Sequence, residues 1–386
     1  MSKAVVVRRR KVPGVLNGSP WIYPNALLDV PDTAGTYPVR TDGGDHLGVC
    51  DFNPAAPIPG RILTRAKSLD NEEEWLTEAI HHAINRRLRL GYQIQGGAFR
   101  MVNGEGDGLP GLVIDMFGRT MVADCYSRGM RDRMPLIEKV LSETLGDCPL
   151  LLRMGADAAK REGIDPIDPP VATISFAENA VVFDVALGSD QKSGFYLDQR
   201  DNRRLAARWA SGRQVLDLFC YHGAFALGCL AGGAKSALAV DSSEKALSAA
   251  QANATRNGLA LDVLPADVFD ALGELHEVGP FDLIICDPPK LAPGKRDKNK
   301  GLKAYRYLID KCLGLLPPGG ILLVSSCSQA IGEDDMRKLI MQQAAKKQMY
   351  ADVIAVSGHP ADHPWPIGFE TGRYLSTVAV MSRGPW

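Results

Sequence analysis

The sequence predicts an α/β protein whose C-terminal half is a mostly parallel, doubly wound sheet. From about residue 185, short apolar runs alternate with helical or loop segments, which is typical of βαβ units. Residues 1–72 are rich in Pro and Gly and hold short β-like runs, which predicts a small β-domain. Residues 73–184 combine helical and β-like patterns, which predicts a middle α+β domain. We therefore expect three domains, at 1–72, 73–184 and 185–386.

The composition is that of a globular protein. The chain has 386 residues, of which 45% are hydrophobic and 23% charged, and its formal net charge of -1 argues against a uniformly basic protein. No stretch resembles a signal peptide or reaches the roughly 18 apolar residues of a membrane helix, so a cytoplasmic protein without a membrane partner is expected. The eight cysteines form no CxxC pair, and we expect no metal site.

The N-terminal segment carries a local positive charge. No acidic residue occurs before Asp29, whereas Lys3, Arg8, Arg9, Arg10 and Lys11 are all basic. A second basic segment, residues 290–311, holds eight Lys or Arg residues against two Asp. Such segments are typical either of solvated faces or of phosphate-binding surfaces.

The middle domain should begin with a helix, in "DNEEEWLTEAIHHAINRRLRLGY". Asp70 or Asn71 can cap it, acidic residues occupy its first turn, arginines occupy its last, and Gly91 ends it. A Gly-rich hairpin, a helix near 130–145 and a strand pair in "ATISFAENAVVFDVAL" complete this domain.

The C-terminal domain should bind a ligand at the carboxyl ends of its strands, where open α/β sheets hold their ligands. The predicted strands are "QVLDLF", "ALAVD", "LDVLPAD", "FDLIICD" and "GILLVSSC". Four of them end in an acid, at Asp217, Asp241, Asp267 and Asp287. Two later strands, "YADVIAVS" and "YLSTVAV", lack an intervening helix, so the last should be inserted antiparallel.

The loop after the first of these strands indicates which cofactor is bound. It contains Phe219, Tyr221 and Gly223 but no GxGxxG motif, which a dinucleotide pyrophosphate would require. S-adenosylmethionine has a ribose, an adenine and a methionine tail but no phosphate, and fits such a loop. We expect this loop and the backbone after Asp217 to hold the methionine end.

Other acids and one polar segment complete the predicted cofactor site. Asp241 falls 24 residues after Asp217, close to the offset at which a carboxylate binds ribose hydroxyls. Asp267 is expected at the adenine amino group, and Asp287 at the same edge. Tyr196 and Gln199, in "GSDQKSGFYLDQRDNRR" (188–204), are expected to cover the cofactor.

Two motifs point to the chemistry. "DPPK", at 287–290, ends the fourth strand, and its two prolines force a rigid exit that holds Asp287 and Lys290 at the cofactor edge. Cys327, in "SSCS", ends the next strand and is therefore predicted to face the methyl donor. Methylation of C5 of a pyrimidine requires a thiolate to add at C6. Lys290 could favour the thiolate, and Asp287 could share a proton with N3 of the ring.

Two other cysteines compete with Cys327 for this role. Cys286 precedes Asp287 inside a strand and is predicted to be a core residue, whereas Cys220 lies in the cofactor loop itself. Burial is the common fate of free cysteines, and it is also the alternative for Cys327.

In their order along the chain, "GSPWIYPNAL", "GSDQKSGFYLDQRDNRR", "LDLFCYHGAFA", "VDSSEKAL", "DPPK" and "SSCS" resemble the PUA-linked class I methyltransferases that form 5-methylcytosine in large-subunit ribosomal RNA. The resemblance implies a PUA-like RNA-binding barrel in residues 1–72 and a Rossmann-like methyltransferase sheet. It also implies S-adenosylmethionine as cofactor, Cys327 as nucleophile, and large-subunit ribosomal RNA as partner. It is compatible with a homodimer as well as a monomer. His222 and Ala224 depart from the family pattern, in which a Thr and a second Gly are common at these positions.

Other functions remain open on the sequence alone. Methylation of an exocyclic amine or a hydroxyl would need Asp287 but not Cys327, although Lys290 stands where amine methyltransferases typically have an aromatic residue. A non-catalytic RNA-binding factor with a cofactor fold is a further alternative, and the missing glycine motif argues against an NAD-dependent oxidoreductase.

Overall fold

The structure is a computed structural model that describes residues 4–94, 96–168, 172–187 and 194–386. Contacts between residues divide the chain into two compact units. The first comprises Met1–Phe176, Ala186–Gly194 and Ala361–Gly372, and the second comprises Ala177–Val185, Phe195–Pro360 and Arg373–Trp386. The division into three domains at 72 and 184 stays a prediction.

The first unit begins with a mixed β-sheet, as the Pro- and Gly-rich sequence predicted. Its elements are β1 (Val5–Val7), α1 (Pro13–Leu16), β2 (Trp21–Ile22), β3 (Leu27–Asp29), β4 (Gly35–Thr41), β5 (His46–Phe52) and β6 (Gly60–Thr64). In the described residues these six strands lie in the order β2-β6-β5-β4-β1-β3. Apolar side chains on one face, among them Val5, Ile22, Val39 and Phe52, form its core.

Helix α2 (Glu72–Arg89) confirms the predicted capping. The Asn71 side chain accepts a hydrogen bond from the Glu74 backbone amide, and acids fill the first turn. Its buried face differs from a simple apolar stripe, because Leu88 is exposed while Arg87 is 1% exposed. Arg87 donates to Asp107 at 2.6 Å and so satisfies its charge inside the unit.

The next part of the first unit is, among the described residues, a four-stranded sheet with three helices. These elements are β7 (Ala98–Asn103), β8 (Leu112–Phe117), β9 (Thr120–Cys125), α3 (Arg128–Asp132), α4 (Met134–Leu145), β10 (Leu150–Arg153) and α5 (Ala156–Glu162). Buried ion pairs join this part to the N-terminal sheet: Arg133 binds Asp51 at 2.7 Å, and Arg61 binds Glu162 at 2.8 Å. The two parts therefore belong to one compact unit.

A two-stranded sheet of β11 (Ala172–Glu178) and β12 (Val181–Leu187) precedes the large sheet. The elements that follow are α6 (Arg200–Trp209), β13 (Gln214–Leu218), α7 (Ala224–Ala231), β14 (Ser236–Asp241), α8 (Glu244–Arg256), β15 (Asp262–Pro265), α9 (Val268–Ala271), β16 (Leu283–Cys286), α10 (Lys298–Leu315), β17 (Ile321–Ser326), α11 (Glu333–Lys346), β18 (Met349–Ser357) and β19 (Ser376–Pro385).

The large sheet has the predicted doubly wound topology. Within the described chain its strand order is β15-β14-β13-β16-β17-β19-β18. The neighbouring pairs from β15 to β17 in this order are all parallel, whereas β19 is antiparallel to both β17 and β18. The predicted antiparallel insertion of the last strand is therefore confirmed. The strand order reverses beside β13, and ligands of doubly wound sheets bind at such a point.

No helix in the described part of the chain has the length and the apolar run that a membrane crossing requires. Nor do the described residues bring together three or more His, Cys, Asp or Glu side chains in an arrangement that could hold a metal ion.

Candidate functional site

The carboxyl ends of β13, β14 and β16 bring three of the predicted acids to one edge of the sheet. Asp217 is the penultimate residue of β13, Asp241 is the last residue of β14, and Asp287 directly follows β16. Asp267 lies two residues beyond the end of β15 and caps α9, because its carboxylate accepts from the Phe269 amide at 2.8 Å. Asp217, Asp241 and Asp287 therefore lie at one edge of the sheet, and each has a different local environment.

Asp217 is almost completely buried beneath the loop after β13. Its Oδ2 accepts from the Ala226 amide at 3.0 Å and caps α7. Burial, followed by the charges of Asp287 and Asp241, raises the pKa of Asp217 to about 8. Its Oδ1 is buried and has no hydrogen-bond partner among the described residues. Such an orphan oxygen fits a polar group of a ligand at this edge.

The loop between β13 and α7 is held in a strained conformation. Phe219 has φ 60° and Tyr221 has φ 50°, both in the left-handed region that residues with a Cβ rarely adopt. Gly223 also has positive φ, and a Cβ there would lie 3.0 Å from the Cβ of Ala250. Asp241 supports the loop by accepting from the Tyr221 amide, and it also accepts from the amide of Ser243 before α8, each at 2.9 Å. Strain of this kind clusters at ligand sites, which agrees with the predicted role of the loop.

Tyr196 lies over this loop. Its ring packs edge-to-face on Tyr221 with centroids 5.5 Å apart. Arg203 fixes the segment, since it donates to the Tyr196 carbonyl at 2.8 Å while forming a buried pair with Glu178. The earlier part of the polar segment, residues 188–193, lies outside the described residues.

Asp287 is a half-buried carboxyl beside the same edge. Burial and the negative charge of Asp198 raise its pKa to about 7, against the opposing effects of Arg203 and a hydrogen bond from Gln199. Gln199 donates that bond from Nε2 to Oδ1 at 2.8 Å. This contact was not predicted, because Gln199 was expected to cover the cofactor. A carboxyl with this pKa can exchange a proton near neutral pH.

Cys327 directly follows β17, which is hydrogen-bonded to β16, as predicted. The serines around it are buried and internally bonded: Ser326 donates to the Ile331 carbonyl at 3.0 Å, and the Ser328 hydroxyl accepts from the Ala292 amide at 3.2 Å. Cys327 itself is only half-buried. The small polar residues therefore shape a tight strand exit at which Cys327 is half-buried.

Cys327 and Asp287 both affect the pKa values of two nearby tyrosines, Tyr196 and Tyr305. The pKa of Tyr196 is raised to about 12. Burial is the largest cause, and electrostatic interactions with Tyr221, Asp198, Asp287 and Cys327 follow in that order. Burial raises the pKa of Tyr305 well above its ordinary value, and Cys327 and Asp287 add to this effect. Both tyrosines are thus within electrostatic range of the candidate acid and the candidate nucleophile.

The competing cysteines are poorly suited to be nucleophiles. Cys220 is buried, and burial together with Asp217 and Asp241 raises its thiol pKa. A hydrogen bond to Cys312, with burial, raises the pKa of Cys286 well above its ordinary value. Among the described cysteines only Cys148 and Cys327 are half-buried, and Cys148 lies in the first unit.

Lys290 is exposed, and no hydrogen bond or ion pair joins it to another residue that the structure describes. Its predicted influence on the thiol therefore stays a prediction.

Two family models match the sequence itself. One, for S-adenosylmethionine-dependent methyltransferases, matches residues 162–363, and the other, for PUA-like domains, matches residues 5–65.

The chain belongs to the S-adenosylmethionine-dependent methyltransferase family. It is similar along nearly its whole length to proteins named ribosomal RNA large subunit methyltransferase I. The identity is 31% to that of Alteromonas mediterranea, covering 97% of this chain and 98% of the relative. It is 33% to that of Shewanella frigidimarina, covering 94% of each.

Solved structures support the same fold. An S-adenosylmethionine-dependent methyltransferase from Streptococcus mutans has a TM-score of 0.83 and 19% identity, covering 98% of this chain and all of the other. A methyltransferase complexed with SAH has a TM-score of 0.83 and 20% identity over the same share of each chain. The cofactor of this methyltransferase is S-adenosylmethionine, and the orphan oxygen of Asp217 at the strand edge fits its polar methionine end.

Proposed function

We propose that this methyltransferase forms 5-methylcytosine in large-subunit ribosomal RNA, with Cys327 as a covalent nucleophile. The observation that carries the proposal is the half-buried thiol at the end of β17, next to the strand that ends at Asp287. A thiol is not needed to methylate an amine or a hydroxyl, but C5 of cytosine becomes nucleophilic only after a thiolate adds at C6. The relatives' name and the PUA-like domain support ribosomal RNA as the substrate.

The chain's own residues would act as follows. The Cys327 thiolate forms a bond to C6, and the electron pair of the C5–C6 double bond moves into the ring toward N3. Asp287, with a pKa of about 7, gives its proton to N3 as negative charge develops there. S-adenosylmethionine supplies an electrophilic methyl group to C5. A base then removes the C5 proton, its electron pair restores the C5–C6 double bond as the bond between C6 and Cys327 breaks, and N3 returns its proton to the Asp287 carboxylate.

The direct test is incubation of the protein with radiolabelled S-adenosylmethionine and unmodified ribosomal RNA, followed by nucleoside analysis. Label in 5-methylcytosine supports the proposal. Label in an amine- or ribose-methylated nucleoside contradicts it and favours the alternative chemistry. Cofactor binding without any transfer to RNA would favour a non-catalytic RNA-binding factor.

The acids would hold the cofactor, with Asp241 on the ribose, Asp267 near the adenine and the loop from Phe219 to Gly223 at the methionine end. We expect Asp241→Ala to weaken S-adenosylmethionine binding by about 10- to 100-fold, because a charged hydrogen-bond acceptor is lost. Isothermal titration calorimetry measures the effect. Asp262→Ala is the matched control, since Asp262 is an exposed acid at the opposite end of the neighbouring strand β15. Equal affinities of the two variants would remove Asp241 from the site.

The α10 basic surface, which we define as Lys295 and Arg296 just before the helix together with Lys300, Lys303 and Arg306 on it, would bind RNA phosphates. These side chains are exposed and form no ion pair or hydrogen bond with any residue in the described ranges. In the N-terminal basic cluster Arg9 pairs with Asp45 and Arg8 donates to the Leu27 carbonyl, whereas Arg10 and Lys11 are exposed. Lys3 lies outside the described residues. Free cations can displace counterions from RNA, whereas neutralised ones contribute less.

For the double variant Lys300→Ala, Lys303→Ala we expect RNA affinity to fall by about tenfold at physiological salt and the salt slope to decrease by about one to two. Filter binding at several salt concentrations measures both. Lys338→Ala, Lys346→Ala removes the same charge from the neighbouring helix α11 and should leave the slope unchanged. Parallel losses in both variants would show that only overall charge matters.

A further inference from the structure

A connected set of polar side chains runs from Asp287 to the strand that precedes Cys327. Gln199 Nε2 donates to Asp287 Oδ1 at 2.8 Å, and Asn202 Nδ2 donates to Gln199 Oε1 at 2.6 Å. Asn202 lies on the first turn of α6 and is 1% exposed. The mechanism above does not use Asn202, and the sequence predicted no role for it, although it lies within the polar segment 188–204.

Asn202 uses its whole amide in this network. Nδ2 also donates to Thr377 Oγ1 on β19 at 3.0 Å, and Oδ1 accepts from the Ser357 hydroxyl on β18 at 2.6 Å. Thr377 in turn shares a hydrogen bond of 2.8 Å with the Ser325 hydroxyl on β17, two residues before Cys327. The network therefore connects α6 with three strands of the sheet.

The orientation of Asn202 determines that of Gln199. If the Asn202 amide were turned over, its oxygen would face the Gln199 oxygen, and no proton would lie between them. Because Asn202 occupies Gln199 Oε1 with a donor, the other end of the Gln199 amide must present N–H groups to Asp287. A buried network whose members are all satisfied favours one arrangement over others.

We propose that Asn202 is a positioning residue, which turns the Gln199 amide toward Asp287 and, through Thr377 and Ser325, ties that carboxyl to the strand that carries Cys327. This inference rests on the proposed function, because Asp287 and Cys327 are the acid and the nucleophile there. Asn202 contacts neither of them directly in the hydrogen bonds described above. Its influence passes through Gln199 on one side and through Thr377 on the other.

Other groups also face Asp287, and the expected pH effect must be separated from theirs. Asp198 raises the pKa of Asp287, and Arg203 lowers it. Among the described residues, Asp217 on β13, Cys286 on β16, Tyr305 on α10 and Tyr196 also interact electrostatically with this carboxyl. Replacing Asn202 changes none of these charges. A change in the titration of Asp287 would therefore report the Gln199 hydrogen bond.

The test is the titration of Asp287 in protein labelled with ¹³C at the aspartate carboxyls, with Asp287→Asn used to assign its resonance. In Asn202→Leu the pKa of Asp287 should rise by roughly one unit, because the carboxylate loses an oriented donor. Asn202→Ser, a smaller change that cannot reach Gln199, should shift it in the same direction. Thr377→Val removes the hydroxyl that accepts from Asn202 Nδ2 and bonds to Ser325, but it keeps the bond between Asn202 and Gln199, so the titration of Asp287 should stay at its wild-type position.

Activity gives the second measurement. Asn202→Leu should lower kcat about tenfold with little change in KM for RNA, since it affects the reacting groups rather than substrate contacts. Wild-type titration of Asp287 in folded Asn202→Leu and Asn202→Ser proteins would overturn the inference. The titration needs no RNA, so a shifted pKa in a protein that makes no 5-methylcytosine would refute the proposed function while supporting the positioning role.

Discussion

Replacing Cys327 by alanine is expected to reduce methyl transfer to RNA by at least about three orders of magnitude, as loss of a covalent nucleophile commonly does. Without the thiolate, C5 of cytosine does not become nucleophilic, and no other described thiol at this edge is suited to replace it. Cys220 is buried with a raised pKa, and Cys286 is held against Cys312 in the core. Single-turnover transfer from radiolabelled S-adenosylmethionine measures the loss.

Two controls separate chemistry from folding and from cofactor binding. Cys148→Ala changes the other half-buried cysteine, which donates to the Leu145 carbonyl in the first unit, and should retain wild-type activity. Cys327→Ala should also bind S-adenosylmethionine with wild-type affinity by calorimetry. RNA containing 5-fluorocytidine should form an adduct that resists denaturation with the wild-type protein and none with Cys327→Ala. Undiminished transfer by Cys327→Ala would make the exocyclic-amine or hydroxyl reaction the leading hypothesis.

The sequence alone was sufficient for the general form of the large sheet. Alternating apolar runs predicted its parallel strands, and the absence of a helix before the last strand predicted the antiparallel insertion of β19. Strand-terminal acids are visible in a sequence because strand ends are marked by the loss of apolar residues. Parallel strands present their carboxyl ends at one edge, so Asp217, Asp241 and Asp287 could be placed together without a structure.

The distinction between the cysteines could not be made in the same way. Cys220 and Cys327 both follow a buried strand and both lie among small or aromatic residues. What separates them is burial: Cys220, inside the loop after β13, is buried, whereas Cys327, directly after β17, is half-buried. The loop that contains Cys220 has positive φ at Phe219 and Tyr221, which no local sequence pattern predicts.

Polar contacts between residues far apart in the sequence could not be predicted from it either. Arg87 is an ordinary late-helix cation by position, yet it is buried against Asp107 twenty residues later. Asn202 and Thr377 are separated by 175 residues and meet only because β19 inserts beside β17. Their role follows from tertiary packing, which a helical or strand periodicity does not contain.

Asp287→Asn is expected to lower the rate of methyl transfer by about 10²- to 10⁴-fold, the usual range for loss of a general acid. Asparagine keeps the shape of the carboxyl and can still accept the Gln199 hydrogen bond, but it cannot give a proton to N3. Cofactor affinity should fall far less than the rate. Single-turnover kinetics at saturating RNA, with calorimetry of S-adenosylmethionine binding, distinguishes the two effects.

The pH dependence of the methyl-transfer rate tests whether Asp287 gives this proton. Burial raises the pKa of Asp287 to about 7, so the proton that N3 requires is present at lower pH and is lost as the pH rises through that value. The wild-type rate should therefore contain a falling component near neutral pH that Asp287→Asn lacks. Asp198→Asn is the matched variant: it removes the negative charge that raises this pKa, so the falling component should move to lower pH. A profile in which Asp198→Asn moves it upward, or in which Asp287→Asn retains it, would assign the proton to another group.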